Sequence, residues 1–189
     1  VLLTVCFNTA AAEPDFSDEL PRIPPTEPAN ALKTFKVVDG FRIEQVAHEP
    51  MVVDPIAMAF DAGGRAYVIE MRGYSEQPND NLGRVRLLED TDGDGKFDRS
   101  EVFADGLSWP TAVACWDGGV FVGAAPDIWY FKDTDGDRKA DVKRRVFTGF
   151  GRGNVQGLLH SLRRGRATRY HSATSSAGGS VVRVGEDDG

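Results

Sequence analysis

Segments in which apolar and polar residues alternate, or in which short apolar runs are bounded by turn residues, dominate the chain from residue 41 onward. A period of two predicts β-strands, and two such runs separated by a Gly- and Asp-rich turn predict a hairpin. The predicted strands are 41–47 (FRIEQVA), 56–60 (IAMAF) and 65–71 (RAYVIEM) around the turn 61–64, and 111–116 (TAVACW) and 120–124 (VFVGA) around the turn 117–119. The pattern therefore predicts an all-β fold.

Two parts of the chain nearly repeat each other. LLEDTDGDGKFDRSEVFADGL at 87–107 recurs as YFKDTDGDRKADVKRRVFTGF at 130–150, and the hairpin that begins at Pro55 recurs from Pro110. The segment 72–83 (RGYSEQPNDNLG) is an insertion in the first unit, and a degraded third unit covers 154–162 and 178–184. Units of about 40–50 residues with four short strands each are typical of β-propeller blades. We predict a partial β-propeller with about two complete blades and part of a third.

The beginning of the chain has a different composition. Residues 1–12 (VLLTVCFNTAAA) match the later part of a secretory signal peptide with a cleavage point near Ala12, which predicts an exported protein, periplasmic or associated with the cell envelope. Acylation at Cys6 is disfavoured because Thr4 and Val5 suit a lipoprotein signal poorly. The apolar run is too short to cross a membrane, so we predict no transmembrane span. We expect the chain to be a fragment that is truncated at both ends. A propeller needs about four to eight blades to close, more than the repeat in this chain supplies.

The region that follows the signal-peptide remnant is rich in proline. We predict an extended leader and a short helix over 13–35, with Thr26 as the helix cap and Pro28 at the first helical position, and propeller blades over 36–189.

Charge and cysteine content narrow the function classes. The net charge of the 189 residues is −7, yet the segment 143–169 is basic and lacks acidic residues. A nucleic-acid surface and a solvated face are both compatible with a basic run, and the lack of interleaved aromatic residues favours the solvated face, so we predict no nucleic-acid partner.

Two cysteines, Cys6 and Cys115, exclude a disulfide framework, a zinc site and c-type haem attachment within this chain. We expect Cys115 to be a small core residue.

The stretch DTDGDGKFDRSE at 90–101 satisfies the EF-hand calcium pattern, with Glu101 at its last ligand position. An EF-hand places this loop between two helices, whereas the flanks RVRLLE and EVFADGL suit strands. The second copy has Arg144 where the first has Glu101. What repeats is D-x-D-x-D-x-x-x-D, so the match of Glu101 is a coincidence and the loops are hairpin tips.

These loops nevertheless have the chemistry of a calcium site. Ca²⁺ takes about 6–8 oxygen ligands, and four closely spaced carboxylates repel one another without a cation. Acidic hairpin tips without an ion are the alternative, because Asp and Gly favour turns. The first loop is the better candidate, since Gly95 permits a sharp turn where the second loop has Arg138. The predicted ligands of a structural Ca²⁺ are Asp90, Asp92, Asp94, the carbonyl of Lys96 and Asp98, and in the second loop Asp133, Asp135, Asp137 and Asp141.

The chain contains three histidines, His48, His160 and His171. We select His171 as the candidate catalytic residue because the surrounding HSATSSAGG is small and polar and suits the rim of a pocket. No nucleophile elbow, phosphate loop, HExxH or dinucleotide motif is present in the sequence.

Long phrases of the chain resemble a known bacterial family. LPRIPPTEPANALKTFKVVDGFRIEQVAHEPMVVDPIAMAFDAGGRAYVIEMRGYSE, LGRVRLLEDTDGDGKFDRSEVFADGLSWPTAVACWDGGVFVGAAPDIWYFKDTDGD and NVQGLL are similar to the large exported proteins of planctomycete-type bacteria called membrane-bound dehydrogenase domain proteins. These proteins often carry c-type haem domains further along. Their N-terminal domain is similar to the six-bladed soluble quinoprotein glucose/sorbosone dehydrogenases. The segment 160–172 departs from the family pattern through its extra basic residues.

The resemblance implies the N-terminal part of an exported, six-bladed propeller oxidoreductase. It implies oxidation of a sugar or alcohol with pyrroloquinoline quinone as cofactor, and electron transfer to c-type haem if a downstream domain carries it. Asn154, Gln156 and His171 lie in the region where such a site would begin. The alternative is a calcium-stabilised propeller that serves binding or scaffolding without chemistry of its own.

Overall fold

The structure is a computed structural model that describes Phe16, Glu19 and residues 23–166, 169–173 and 176–185. The predicted signal-peptide remnant at 1–12 lies outside these residues. The chain divides into two compact units, Val1–Arg42 and Ile43–Gly189.

The described part of the first unit contains one short helical segment. Helix α1 (Pro28–Ala31) begins with proline at its first position, as predicted, and continues into a 3-10 helix at Leu32–Thr34. Its N-cap is Glu27 and not Thr26, without a side-chain cap. Because proline has no N–H, the first turn has one donor fewer to satisfy, which makes a capping side chain less necessary.

The second unit is built from antiparallel sheets. The first sheet contains β1 (Pro55–Phe60), β2 (Ala66–Glu70), β3 (Gly83–Glu89) and β4 (Arg99–Leu107), in that spatial order. The second contains β5 (Ala112–Trp116), β6 (Gly119–Ala124), β7 (Asp127–Lys132) and β8 (Val142–Phe150), again in chain order. A third sheet contains β9 (His160–Arg164) and β10 (Tyr170–Ala173), and β11 (Gly179–Arg183) pairs with β8.

The arrangement of these sheets is that of propeller blades. The first sheet is a four-stranded meander, and so are the strands β5–β8 of the second sheet, to which β11 adds a fifth strand. The first strands of the three sheets lie side by side, β1 against β5 and β5 against β9. The fold is therefore an all-β partial β-propeller, as predicted from the repeat.

Two predictions about strands need correction. The segment 41–47 is not a strand; its residue Ala47 instead packs on the apolar face of the first sheet with Val52 and Val68. Alternation also suits an extended segment that covers a sheet, so periodicity alone did not distinguish the two. In the third unit, the last strand does not join β9 and β10 but extends the second sheet. Gly149 and Gly151 make this possible, because a Cβ at either position would clash with the backbone of 177–180.

The main core lies between the first two sheets. Tyr67, Ile69, Val85 and Leu87 on β2 and β3 pack against a matching apolar face of the second sheet. That face is formed by Val113, Val120, Val122, Ala124 and Phe131. A second cluster joins the second sheet to the third through Ile128, Leu158 and Leu159, among others. Burial of apolar side chains thus stabilises the contact between the first and second sheets and the contact between the second and third.

Because neighbouring strands are antiparallel, successive connections between them lie alternately at one end of the sheet and at the other. The connections between the first and second and between the third and fourth strands of a sheet lie at one end. The β2–β3 connection at 71–82, which contains most of the insertion, and the links 108–111, 125–126 and 151–159 lie at the other. Contacts between the latter support this, since Ser108 Oγ donates to the carbonyl of Pro78 at 2.6 Å and Arg152 Nη2 donates to Ser108 Oγ at 2.6 Å.

One buried charge ties the first sheet to the chain that precedes it. Glu70 has no exposed surface, and its carboxylate accepts hydrogen bonds from the backbone N–H of Val53 at 2.8 Å and from the side chains of Arg84 and Arg86. Two cations and one amide satisfy this carboxylate, which is the condition under which a buried charge is tolerated.

We predict that Glu70→Gln lowers the free energy of unfolding by about 3 kcal/mol, because it leaves two partly buried arginines without their anion. The matched control is Glu101→Gln, which breaks the exposed contact between Arg99 and Glu101 and should cost about 0–1 kcal/mol. Urea unfolding followed by circular dichroism measures both, and equal losses in the two variants would contradict the assignment.

Candidate metal site in two aspartate loops

The first aspartate loop connects β3 to β4. The carboxylate of Asp90 accepts backbone hydrogen bonds from Gly93 at 2.7 Å and Gly95 at 2.9 Å. Both glycines have positive φ, +78° and +88°, a conformation that residues with a side chain adopt at a steric cost. The D-x-x-G-x-G spacing therefore folds the chain around the first carboxylate.

The end of the loop is tied back to its beginning. Asp98 accepts hydrogen bonds from Thr91, at 3.1 Å from its backbone N–H and at 2.7 Å from its hydroxyl. As a result, carboxylate oxygens of Asp90, Asp92 and Asp98 lie within 4.8 Å of one another. Three oxygen donors at this spacing are suited to one hard cation.

The second loop, between β7 and β8, has the same construction. Asp133 accepts backbone hydrogen bonds from Gly136 at 2.7 Å and Arg138 at 2.9 Å, and Asp141 accepts from Thr134 at 2.7 Å and 3.0 Å. Carboxylate oxygens of Asp133, Asp135 and Asp141 again lie within 4.8 Å of one another. The repeat in sequence is thus a repeat in three dimensions.

The remaining predicted ligands have a different role in the described loops. Asp94 accepts a hydrogen bond at 2.8 Å from the backbone N–H of Lys96, and Asp137 accepts one at 2.8 Å from that of Lys139. Neither belongs to the two converging groups of carboxylates. Asp94 and Asp137 therefore shape the turn, while three carboxylates in each loop face one another.

Hydrogen bonding favours the ionised form of Asp90, Asp133 and Asp141. The pKa of Asp90 is lowered, chiefly by the backbone hydrogen bond from Gly95, and that of Asp141 by the backbone hydrogen bond from Thr134. Burial opposes ionisation of Asp133, but the amide hydrogen bonds outweigh it and its pKa is also lowered. Each loop therefore presents a negative charge at neutral pH.

The EF-hand interpretation is excluded by the elements that flank the loop. Both neighbours, β3 and β4, are strands, and Glu101 lies on β4, where it contacts Arg99 at 3.5 Å. Glu101 does not belong to the converging carboxylates among the described residues. Its match to the pattern is a coincidence, as the comparison of the two repeats predicted.

The second loop is fastened to the first sheet. Arg138 has φ +74°, the strained conformation expected from the loss of glycine at this position. Its Nε donates to Glu89 Oε2 at 2.7 Å, and the backbone N–H of Ala140 donates to the carbonyl of Phe103 at 2.8 Å. Because Glu89 immediately precedes Asp90, this ion pair connects the second loop to the beginning of the first.

His171 lies away from both loops. It is an exposed residue of β10, directly across from Arg163 of β9. Its ring lies so close to Gly165 that a Cβ there would be 2.4 Å from Nε2. Of the other residues named with it, Asn154 caps a 3-10 helix at Val155–Gly157 by accepting from the N–H of Gln156 at 3.0 Å. The structure does not bring these residues together with the carboxylates.

A cavity of about 640 Å³ lies along the first strands of the three sheets. Its polar lining includes Thr111, His160 and Arg164, and its apolar lining includes Met58 and Phe60. Neither Arg164 nor His160 was predicted to line a cavity. The sequence signals for them were the place of His160 in the third repeat, at 154–162, and the place of Arg164 in the basic segment 143–169.

A cluster formed by Trp109, Tyr74 and Arg152 lies at the end of the sheets opposite the aspartate loops, and it was not predicted from the sequence. Trp109 donates from Nε1 to the carbonyl of Gly73 at 3.2 Å and has the ring of Tyr74 at 5.9 Å. The guanidinium of Arg152 lies 5.8 Å from the Trp109 ring. The sequence signal for this cluster was the insertion 72–83, which contains Tyr74 and is absent from the second repeat.

Cys115 packs at the edge of the main core, as predicted. Burial raises the pKa of its thiol to about 11, so the thiol stays protonated at neutral pH.

We predict slow modification of Cys115 by iodoacetamide at pH 7.5, more than about tenfold slower than free cysteine, whose pKa is about 8.5. Urea-unfolded chain is the control and should react at the rate of the free amino acid. Equal rates for folded and unfolded chain, followed by mass spectrometry, would contradict this assignment.

The model of the family described as Domain of unknown function (DUF7133) matches residues 27–189. The chain belongs to this family. The family description assigns no activity, so the dehydrogenase, quinone and haem expectations stay predictions. No curated protein matches the chain.

Two solved structures from Trichoderma reesei are similar to the chain, the iodide structure and the calcium structure of Carbohydrate-Active Enzymes Family AA12. In each comparison the identity is 19% and the TM-score 0.42, over 58% of this chain and 26% of that chain. The chain therefore spans about a quarter of the length of these solved chains.

None of the helices that the structure describes has the length and apolar character needed to span a bilayer.

Proposed function

We propose that the two aspartate loops bind Ca²⁺ and that the bound ions stabilise the blades of an exported β-propeller. The observation that carries this proposal is the convergence of three carboxylates, at 4.8 Å or less, in both copies of the loop. Carboxylate oxygens are the ligands that Ca²⁺ prefers, and backbone carbonyls and water complete its shell of about 6–8 oxygens.

The position of the loops supports a structural role for the ions. The loops lie at the end of the sheets opposite the β2–β3 connection at 71–82 and the links between sheets. The second loop is also held to the first sheet by the Arg138–Glu89 ion pair. An ion in this loop would order residues that contact the neighbouring sheet, and a ligand that binds only the folded state raises its stability.

We predict that millimolar Ca²⁺ raises the melting temperature of the chain, and that Asp92→Asn combined with Asp135→Asn removes most of the increase. These two residues each contribute one of the three converging carboxylates. Differential scanning fluorimetry with and without EGTA measures the effect. The increase should also fade as the pH drops below about 3.9, the ordinary pKa of Asp, because protonated carboxylates do not bind the ion and the pKa of Asp90, Asp133 and Asp141 is lowered.

The matched control is Asp94→Asn combined with Asp137→Asn. It removes the same formal charge from the same loops, but from side chains outside the converging groups that only accept a backbone hydrogen bond. The control variant should keep most of the calcium response. Absence of any response in the unmodified chain, or equal losses in both variants, would refute calcium binding by these carboxylates.

A second candidate function is quinone-linked oxidation of a sugar or alcohol by the propeller to which these blades belong, with electrons passed to a c-type haem acceptor. The resemblance to exported dehydrogenase domain proteins supports it, together with the cavity along the first strands of the sheets. Pyrroloquinoline quinone is a tricarboxylate, and His160 and Arg164 in the cavity lining supply basic groups that fit such a molecule. When bound, the quinone would supply the two-electron oxidation.

The test is titration of pyrroloquinoline quinone into the chain, followed by quenching of tryptophan fluorescence. We expect saturable binding that Arg164→Gln weakens by about tenfold, the effect of one charge-assisted contact. Arg183→Gln on β11 is the matched control, since it removes an arginine outside the cavity lining. No saturable binding, or equal weakening by both substitutions, would refute quinone binding in this cavity.

A further inference from the structure

The hairpin of β9 and β10 carries four arginines at its tip. Arg163 and Arg164 end β9, and Arg166 and Arg169 lie in the connection to β10. All four side chains are exposed. No ion pair joins them to a carboxylate in the part of the chain that the structure describes, and the sequence contains no acidic residue from 142 to 185. We call the surface defined by these four arginines the basic tip.

The corresponding tips of the other two sheets are neutralised by ion pairs. In the first sheet, Asp61 in the turn between β1 and β2 pairs with Arg65 at 2.7 Å. In the second sheet, Asp117 in the turn between β5 and β6 pairs with Lys132 at 3.4 Å. The third tip has four cations and no anion of its own. The excess of positive charge is therefore not a requirement of the repeated hairpin.

The basic tip lies beside the tip of the second sheet. The hydroxyl of Tyr170 donates to the carbonyl of Cys115 at 2.7 Å, and its ring meets that of Trp116 edge-on at 5.9 Å. Trp116 immediately precedes Asp117, so the two tips are neighbours. Both aspartate loops lie at this same end of their sheets. One end of the sheets thus carries negative loops on the first two sheets and a positive tip on the third.

The basic tip lacks the features of a nucleic-acid or membrane surface. Single-stranded nucleic acids stack on exposed aromatic rings, but the one aromatic residue of 160–173, Tyr170, is half-buried against Trp116 and Phe121. A membrane surface needs large apolar side chains beside the basic ones, but Leu162 packs on the cluster between the second and third sheets. The aspartate loops at the same end would repel the dense phosphate charge of a duplex.

The type of cation indicates the type of anion. All four residues are arginines, and the planar guanidinium donates two parallel hydrogen bonds to a carboxylate or to a tetrahedral oxyanion. A linear acidic polysaccharide repeats carboxylate or sulfate groups along a thin, flexible chain. Such a chain can contact several guanidiniums of the tip and stay clear of the aspartate loops. An acidic polysaccharide therefore fits both the positive charge of the tip and the negative charge beside it.

We propose that the basic tip binds an acidic polysaccharide through the carboxylate or sulfate groups of the polymer. The sequence favoured a solvated face for the run 143–169, whereas the structure concentrates four of its eight lysines and arginines on one hairpin. The contact is electrostatic, so binding weakens as the salt concentration rises. It requires neither a bound Ca²⁺ nor a quinone.

The test uses two polymers, heparin for sulfate groups and polygalacturonate for carboxylate groups alone. Isothermal titration calorimetry at low salt measures their binding to the chain, with EGTA present so that Ca²⁺ does not bridge the polymer to the aspartate loops. The test variant combines Arg166→Gln with Arg169→Gln, because Arg163 and Arg164 also line the cavity along the first strands. We expect saturable binding of at least one polymer, weakened by NaCl and weakened about tenfold in this variant, the effect of two charge-assisted contacts.

The matched control combines Arg144→Gln with Arg183→Gln. It removes the same charge from exposed arginines of β8 and β11, the outer strands of the second sheet, whereas β9 lies beside the inner strand β5. The control should bind as the unmodified chain does, and circular dichroism of each variant verifies its fold. The proposal is overturned if neither polymer binds or if both double substitutions weaken binding equally. Tighter binding of duplex DNA, anionic lipid vesicles or polyglutamate than of either polysaccharide would also overturn it, by identifying another class of partner.

Discussion

The packing of the first two sheets against each other sets the position of every other feature of the second unit. Tyr67, Ile69 and Leu87 bury their side chains against Val120, Val122 and Phe131, and this contact brings β1 next to β5. Because the sheets are meanders that start at the inner strand, the same contact places the cavity along the first strands. In each meander the aspartate loop connects the third and fourth strands, so both loops lie at one end of the sheets, and the insertion between β2 and β3 lies at the other.

The aspartate loops show how backbone amides hold several carboxylates close together. Asp90 accepts two backbone amide hydrogen bonds from its own loop and Asp133 accepts three, which favours the ionised form and fixes the direction of the carboxylate. The mutual repulsion of three such groups is the cost of this geometry, and the proposed cation would offset it. In the second loop, Arg138 combines a strained backbone with an ion pair to Glu89, so the strain is balanced by a contact between sheets.

Local sequence signals predicted the hairpins and the two aspartate loops well. A period of two, a Gly- and Asp-rich turn and a recurring phrase are properties of short segments, and they sufficed to reject the EF-hand because Arg144 replaces Glu101 in the second copy. The same signals failed for 41–47, since an extended segment that covers a sheet has the same alternation as a strand. They also failed for β11, because its partner β8 is distant in sequence and is reached through close glycine contacts.

By itself, the sequence determined the β class, the blade repeat and the aspartate residues that can hold a cation, because each depends on residues close together along the chain. Only the tertiary structure decided which three carboxylates converge, that Glu70 is a buried anion between two arginines, and that His171 faces Arg163 and not the loops. It also showed that Met58 and Phe60 are open where Val113 and Cys115 are covered. The physical reason is that burial and convergence depend on which sheets pack together, a property of long-range contacts that no local period encodes.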